Sequence, residues 1–393
     1  MNRILTVELP GNNDTCVTAT LPLTTYEMLD VLDKLRMTPQ DEPEWEICEY
    51  HAHRGLHDCI DDGSFYELNA FCTKLSELDK RQSAAFDGLV EMEKDKGTGI
   101  IPIHRLLDLA YSTEQCHVLD EVHTSEQLGK FYAANGFVPE AEGLSDEVYK
   151  LLDFRGIGEK FQTSEDGVFT RDGYVVQDGN LAQDVWKTLE LPVKKPEYTV
   201  LLRLDVMDTD CTTLLKLPAS PTEMDAALDR IGESTWSGVS VRCVDCRVPA
   251  LRDMITLSAN AAHANRAAEC LASLPEEQLP KYKALLGALE VTDLQEAVDL
   301  TQKLDEYILA PEQSSYEDVA RGELHAILGE KEAETLLPHV NLYQYGRALQ
   351  EKYQITLTEY GSVERQDNKP LMESAEQRKQ QTTQGAMAME QQI

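Results

Sequence analysis

The stretch "LPLTTYEMLDVLDKL", Leu21 to Leu35, returns as "LPASPTEMDAALDRI", Leu217 to Ile231. Six of the fifteen positions are identical, at an offset of 196 residues. Both stretches open with a helix-start device. Thr24-x-x-Glu27 and Ser220-x-x-Glu223 are capping boxes, in which a hydroxyl and a carboxylate satisfy backbone N–H groups that the first helical turn leaves without partners. Both then place apolar residues on one helical face, Met28, Leu32 and Leu35 against Met224, Leu228 and Ile231.

The offset persists outward. Leu75, Leu78, Gln82 and Phe86 face Leu271, Leu274, Gln278 and Tyr282. After a short deletion, Asp108 and Leu109 face Asp299 and Leu300. Near the ends, Gly158 of "DFRGIGEKF" faces Gly346 of "NLYQYGRAL", and Thr170 and Gly173 face Thr358 and Gly361. The period is too long for a solenoid. It predicts a domain-sized unit written twice and diverged.

Each copy has the same coarse order: two β-rich segments, a capped helix, a third strand ("WEICEYH" or "VSVRCVDCRV"), a helical middle, then a short helix and two strands. Short strands between polar turns suit small sheets, not one large parallel sheet. The predicted class is α+β, as two tandem copies of an elongated unit. The first has a small α/β subdomain (1–63), a helical middle (64–140) and a small α+β closing subdomain (141–180). A linker (181–197) follows, where Lys194, Lys195 and Pro196 break the pattern. The second copy runs through 198–258, 259–330 and 331–366. The Gln-, Met- and Ser-rich stretch 367–393 is expected to be a disordered tail.

Charge sets the function classes. Seventy acidic residues face thirty-six basic ones, a net charge of −34 over 393 residues. Such a surface repels nucleic acid and anionic membranes, because phosphate binding needs Lys and Arg to displace counterions. It attracts basic surfaces. Nine scattered cysteines, an odd number, suit reduced thiols rather than a disulfide framework. The start has no long apolar segment of the signal-peptide kind, and no run approaches a membrane span. A soluble, cytoplasmic protein is expected.

"EWEICEYHAHRGLHDC", Glu44 to Cys59, invites a zinc reading with Cys48, His51, His53, His57, Asp58 and Cys59. Structural zinc takes four Cys or His ligands, usually as two short-spaced pairs. Aligned with the second copy, Cys48 and His51 face Cys243 and Cys246, but His53, His57 and Cys59 face no ligand, and no second pair lies near. Residues three apart in a regular strand point to opposite faces, so neither pair chelates without a turn. No metal and no cofactor are expected. "RGIGEKF" lacks the third glycine and the preceding strand of a dinucleotide loop. No Walker-type loop or nucleophile elbow is present. A non-enzyme is expected, with no catalytic residue assigned.

The carboxylates remain. Residues 1–197 hold 38 acidic and 18 basic residues, and residues 198–393 hold 32 and 18. Glu67, Glu77, Asp79, Asp87, Glu91 and Glu93 punctuate an apolar helical stripe. With Asp108, Glu114, Asp120, Glu121 and Glu126 they form the candidate partner-binding set. Duplex DNA carries about one charge per 1.7 Å of axis, so a net −34 matches the phosphates of roughly 58 Å of duplex.

Several stretches resemble the ArdA antirestriction proteins. "FYELNAFCTKLSELD" is similar to that family's Leu-x-Glu-Leu-Asn helix, and "WEICEYHA" to its Glu-x-x-Ile-x-Asp-Tyr-Glu strand. "LLDFRGIGEKF" and "GVFTRDGYV" resemble its closing motif and its Gly-Tyr-Val strand, keeping Asp153, Phe154 and Gly158, with Lys160 where an Asp is usual. In the second copy Asn341, Tyr343, Gly346 and Arg347 keep a trace of the pattern. The resemblance implies an elongated acidic mimic of B-form DNA, carried by a mobile element, that occupies the DNA groove of type I restriction–modification enzymes. It implies no turnover and no direct nucleic-acid or membrane contact. Family members dimerise as single units, so a homodimer or an intrachain pseudo-dimer is implied here. The lower acidity of the second copy, with Arg242, Arg247 and Arg252, leaves open whether it keeps the mimic role. The competing reading is an acidic adaptor, or a regulator of a mobile element, with another basic partner. A hydrolase or metalloenzyme would carry zinc.

Overall fold

Alternating apolar and polar residues near the N-terminus make a hairpin. Strands β1 (Leu5–Pro10) and β2 (Cys16–Leu21) pair antiparallel, from Leu5 opposite Leu21 to Pro10 opposite Cys16, with Leu5, Val7 and Leu9 buried on one face. This computed structural model describes residues 2–11, 15–57, 59–61, 63–97, 99–191, 194–206, 209 and 211–371. The chain divides into two compact units. The first holds Met1–Pro10, Cys16–Leu23 and Pro39–Lys194. The second holds Gly11–Thr15, Thr24–Thr38 and Lys195–Ile393, so helix α1 (Thr25–Leu35) belongs to it.

In the first unit, β3 (Glu46–Tyr50) pairs with the free edge of β1, giving the sheet order β2-β1-β3. Helices α2 (Phe65–Glu77), α3 (Lys80–Lys94) and α4 (Ile103–Ala110) follow. Ser64 with Glu67 and Asp79 with Gln82 cap α2 and α3 by reciprocal boxes. Phe65, Phe71 and Phe86 are fully buried between them. Strand β4 (Cys116–Asp120), helices α5 (Ser125–Ala134), α6 (Asp146–Tyr149) and α7 (Phe154–Glu165), and strands β5 (Val168–Phe169) and β6 (Gly173–Gln177) complete the unit, with sheet order β4-β6-β5.

The second unit runs β7 (Val200–Val206), β8 (Thr212–Leu217), α8 (Pro221–Arg230) and β9 (Val239–Cys246), with sheet order β8-β7-β9. Then come α9 (Arg252–Ser258), α10 (Ala261–Ser273), α11 (Leu279–Ala288) and α12 (Leu294–Leu300). It closes with β10 (Tyr307–Ala310), α13 (Tyr316–Leu328), α14 (Glu330–Leu336), α15 (Leu342–Tyr353), β11 (Thr356–Thr358) and β12 (Gly361–Arg365), in sheet order β10-β12-β11. One apolar core runs from Val200 and Leu217 through Leu271 and Tyr282 to Tyr307 and Val363. The class is α+β, with small three-stranded antiparallel sheets.

Local devices recur at matching positions. Leu21–Pro22 and Leu217–Pro218 are both cis. The amide of Asn69 clasps the backbone N–H and C=O of Leu23 at 2.7 and 3.1 Å, and Asn265 clasps Ala219 at the same two distances. Gly158 and Gly346 sit where α7 crosses α5 and α15 crosses α13. A Cβ there would lie 1.7 Å from the carbonyl oxygen of Ser125 or Tyr316, so only glycine allows the approach.

Two sequence expectations change. The closing sheets have three strands, not two. The third comes from "CHVLD" and "YILA", stretches that the apolar pattern assigned to no strand. The alignment of β3 with β9 also shifts by one residue. A β-bulge between Thr6 and Val7 recurs between Leu201 and Leu202, and the register places Ile47 where Cys243 stands and Tyr50 where Cys246 stands. The bulge absorbs one residue, so Cys243 and Cys246 share the buried face despite being three apart. Cys48 is exposed and has no cysteine counterpart. Of the expected tail, Asp367 is held by Arg365 at 2.9 and 3.0 Å and Leu371 is buried. Residues 372–393 lie outside the described residues.

Candidate functional site: the carboxylates

The eleven candidate carboxylates fall into three environments. Asp108 is buried on α4. Its two oxygens accept the backbone N–H groups of Asp184 (3.2 Å) and Val185 (2.9 Å), while Ser112 Oγ accepts from Ala182 N (2.8 Å). The start of the segment expected as a linker, from Ala182 to Val185, is therefore fastened to α4, and Asp108 is the clamp.

Glu67, Asp87, Glu91 and Glu93 are half-buried. Glu67 closes the capping box of α2. Asp87 takes a 2.7 Å hydrogen bond from the buried His53 ring, which stands edge-on to Phe86. Glu91 is 3.4 Å from Lys94. Glu93 receives both Nε and Nη2 of Arg105, at 3.0 and 2.9 Å, and that paired hydrogen bond holds its carboxyl below the ordinary carboxylate range.

Glu77, Asp79, Glu114, Asp120, Glu121 and Glu126 are exposed. Glu126 pairs with Lys130 one helical turn on. The other five form no ion pair with a described residue. Three of them converge at the C-terminal end of α2. Gln82 accepts from Asp79 N at 3.0 Å and donates to Glu114 at 2.6 Å. Burial, together with the Glu77 carboxylate, raises the pKa of the neighbouring Tyr111 phenol. This edge holds three negative charges, and the Gln82 side chain that ties the Asp79 backbone to the Glu114 carboxylate is neutral. Asp120 ends β4 and Glu121 follows it in a turn, away from the helical stripe that suggested the first six positions.

The zinc stretch is spent on separate contacts. His51 Nε2 is 2.8 Å from Thr6 Oγ1, Cys48 Sγ faces Glu46 O at 3.6 Å, and Cys59 Sγ faces Gly55 O at 3.5 Å. Asp58 lies outside the described residues. Among the described residues no group of three or more His, Cys, Asp or Glu converges on a point that could hold a metal ion. The Cys243 thiol is pushed strongly up by its hydrogen bond with Cys246 and by burial, which leaves it a poor nucleophile.

Sequence reasoning missed a buried charge network in the second unit. Lys283 Nζ, almost fully buried on α11, lies 2.8 Å from Asp30 and 2.7 Å from Asp33 on α1. The Tyr360 hydroxyl donates to Asp30 at 2.8 Å. Arg252 pairs with Glu27 of the same helix, and Thr24 donates to Asp245 at 2.6 Å. Of the three arginines noted in the second copy, Arg247 is also buried, 2.9 Å from Glu276, and Arg242 is exposed. Asp30 and Asp33 one turn apart on an apolar face were the available signal, but their cation lies some 250 residues away.

No protein-family model matches the chain, and no curated protein matches it significantly. Among the described residues no helix is long and apolar enough to cross a membrane.

Proposed function

We propose that the protein is an antirestriction protein of the ArdA type: an acidic mimic of B-form DNA that occupies the DNA-binding groove of type I restriction–modification enzymes. The observation that carries this reading is the exposed edge of Glu77, Asp79 and Glu114. Its carboxylates stay in solvent without cation partners among the described residues, in a chain with a net charge of −34. In this mechanism carboxylates take the place of phosphates against Lys and Arg of the target. Long-range attraction speeds encounter and weakens with salt. No substrate is turned over and no cofactor is needed, and the protein acts in the cytoplasm.

We also propose that the two copies, residues 1–180 and 198–366, arose by tandem duplication. Shared sheet orders, matching bulges, the Asn69 and Asn265 clasps and the Gly158 and Gly346 crossings support it. The second copy has kept the frame while diverging in charge. The test of function is displacement of labelled DNA from a type I methyltransferase by the purified chain. Failure of excess protein to displace DNA at low salt defeats the proposal.

The acidic adaptor, or regulator of a mobile element, is the second reading. Exposed Leu151 and Phe137 favour it, because apolar anchors give binding that changes little with salt. A salt titration of the complex separates the two.

A further inference from the structure

A cavity of about 710 Å³ opens in the second unit between the C-terminal half of α11, the end of α15 and β11. That volume is within the usual range for sites that bind small ligands. The cause is local. On α11, Ala284, Gly287 and Ala288 stand at i, i+3 and i+4, one above the other on a single helical face. The matching positions of α3 carry Gly88, Glu91 and Met92, and Met92 is buried there. In the second unit the space is left open: a Cβ added at Gly287 would meet no atom within 4 Å.

The lining has two chemical parts. Half-buried Ala288 and Leu357, with the small exposed parts of Ile355 and Leu371, supply apolar surface over the buried Ala284. Glu290, Glu351 and Glu359 stand at the rim. Glu359 is paired with Lys34 at 2.8 Å and Glu351 is 3.8 Å from the exposed Arg347, while Glu290 has no ion-pair partner among the described residues and is the carboxylate left for a ligand's charge. Lys283 also lines the cavity, but its charge is taken up by Asp30 and Asp33. An anionic ligand would meet the rim carboxylates, and a neutral apolar one would leave them unused.

We propose that this cavity binds an organic cation with an apolar body: an ammonium or guanidinium group on an alkyl stem, either a free amine or the basic side chain of a protein partner. The stem covers the apolar surface and the charge meets the rim carboxylates. The proposal is independent of DNA mimicry, since its readout involves neither DNA nor a restriction enzyme.

The experiment is titration calorimetry on the full chain with three probes: hexylammonium chloride, a short Leu-Arg-Leu peptide with blocked ends, and neutral hexanol. The expected result is saturable binding of one or both cations and at least tenfold weaker binding of hexanol. Hexylammonium alone identifies a free amine as the ligand class, and the peptide alone identifies a protein side chain. Ala288→Met, which restores the side chain of the first unit, should weaken binding at least tenfold, with its thermal melt checked for folding. Glu290→Gln, an exposed change that leaves the core untouched, should weaken binding several-fold and flatten its salt dependence. Absence of saturable binding by either cation, hexanol binding as well as hexylammonium, or affinity unchanged in both variants overturns the proposal.

Discussion

Tyr132 on α5 donates its phenolic hydrogen bond to Glu165 at the end of α7, at 2.7 and 2.9 Å to the two carboxylate oxygens. At the matching place in the second unit the two side chains are exchanged: Tyr353 on α15 donates to Glu323 on α13, at 3.2 Å. Both units thus hold a Tyr–Glu hydrogen bond between these helices, with the two side chains on opposite helices. Tyr132→Phe keeps the stack on Phe161, whose ring centre is 4.2 Å away, and removes only the hydroxyl. Its expected cost is about 1–2 kcal/mol, and a cycle with Glu165→Gln should show coupling of about 0.5–1.5 kcal/mol in urea unfolding. Single costs that simply add would show that the pair contributes nothing.

Gly158→Ala and Gly346→Ala should each be costly, because the new methyl meets a backbone carbonyl that cannot rotate away. Overpacking costs about 1–3 kcal/mol and occasionally more, and a contact this close to a backbone carbonyl belongs at the upper end. Chemical denaturation of each variant measures it. A loss near the few tenths expected of a surface change would mean that the helices separate without penalty.

Lys283→Met leaves Asp30 and Asp33 without their cation. Breaking a buried pair costs about 3–5 kcal/mol, and the lower end applies because a third of the Asp33 side chain remains in water. Burial raises the Asp33 pKa above its ordinary 3.8, and Lys283 opposes that rise. A carboxyl whose pKa is raised by folding holds its proton more tightly in the folded chain. Stability from this group therefore increases as pH falls from its folded pKa toward 3.8. Removing Lys283 widens that window upward, so the deficit of the variant should shrink between neutral pH and about 5. A deficit that is constant with pH would contradict this account.

Glu93 has the opposite sign. Its pKa is depressed by Arg105, so its contribution is fully present above the ordinary value of 4.5 and is lost as pH falls through the depressed one. Glu93→Gln should be less stable than the parent at neutral pH and should converge with it in acid. Parallel stability curves would show that the pair with Arg105 adds nothing.

Asp108 and the exposed carboxylates should separate structure from binding. Asp108→Ala leaves two backbone N–H groups without their acceptor and should cost about 1–3 kcal/mol. The combined Glu77→Gln, Asp79→Asn and Glu114→Gln variant should unfold within about 0.5 kcal/mol of the parent, because an asparagine caps α3 as well as the aspartate does. It should inhibit more weakly, with a shallower salt dependence. Unchanged inhibition would remove this edge from the interface.

Part of the frame was legible in the sequence, since capping boxes and apolar spacing act locally: Thr24 and Ser220 begin helices as their side chains dictate. Asp79, read as one carboxylate of a continuous helical stripe, instead caps α3 and separates it from α2. The strand at Cys116–Asp120 is hidden because it is short, sits at a sheet edge and has only one buried residue, so no alternation is visible. The bulge is hidden because a one-residue slip keeps two similar strands alignable while moving the cysteines to other faces. In the sequence Asp108 resembles any other surface charge. Its role depends on backbone groups 76 and 77 residues away, as that of Asp30 depends on Lys283. Periodicity reports which face of an element is buried, and it does not report what a polar group on that face will meet.

The most direct test of the central claim is competition for a type I methyltransferase. Labelled target duplex is displaced by increasing full-length protein over a series of salt concentrations. The account predicts displacement near stoichiometric protein at low salt, with an inhibition constant that weakens steeply as salt rises, in step with loss of DNA affinity. Retention of the duplex at large excess of protein in low salt, or inhibition indifferent to salt, would contradict it.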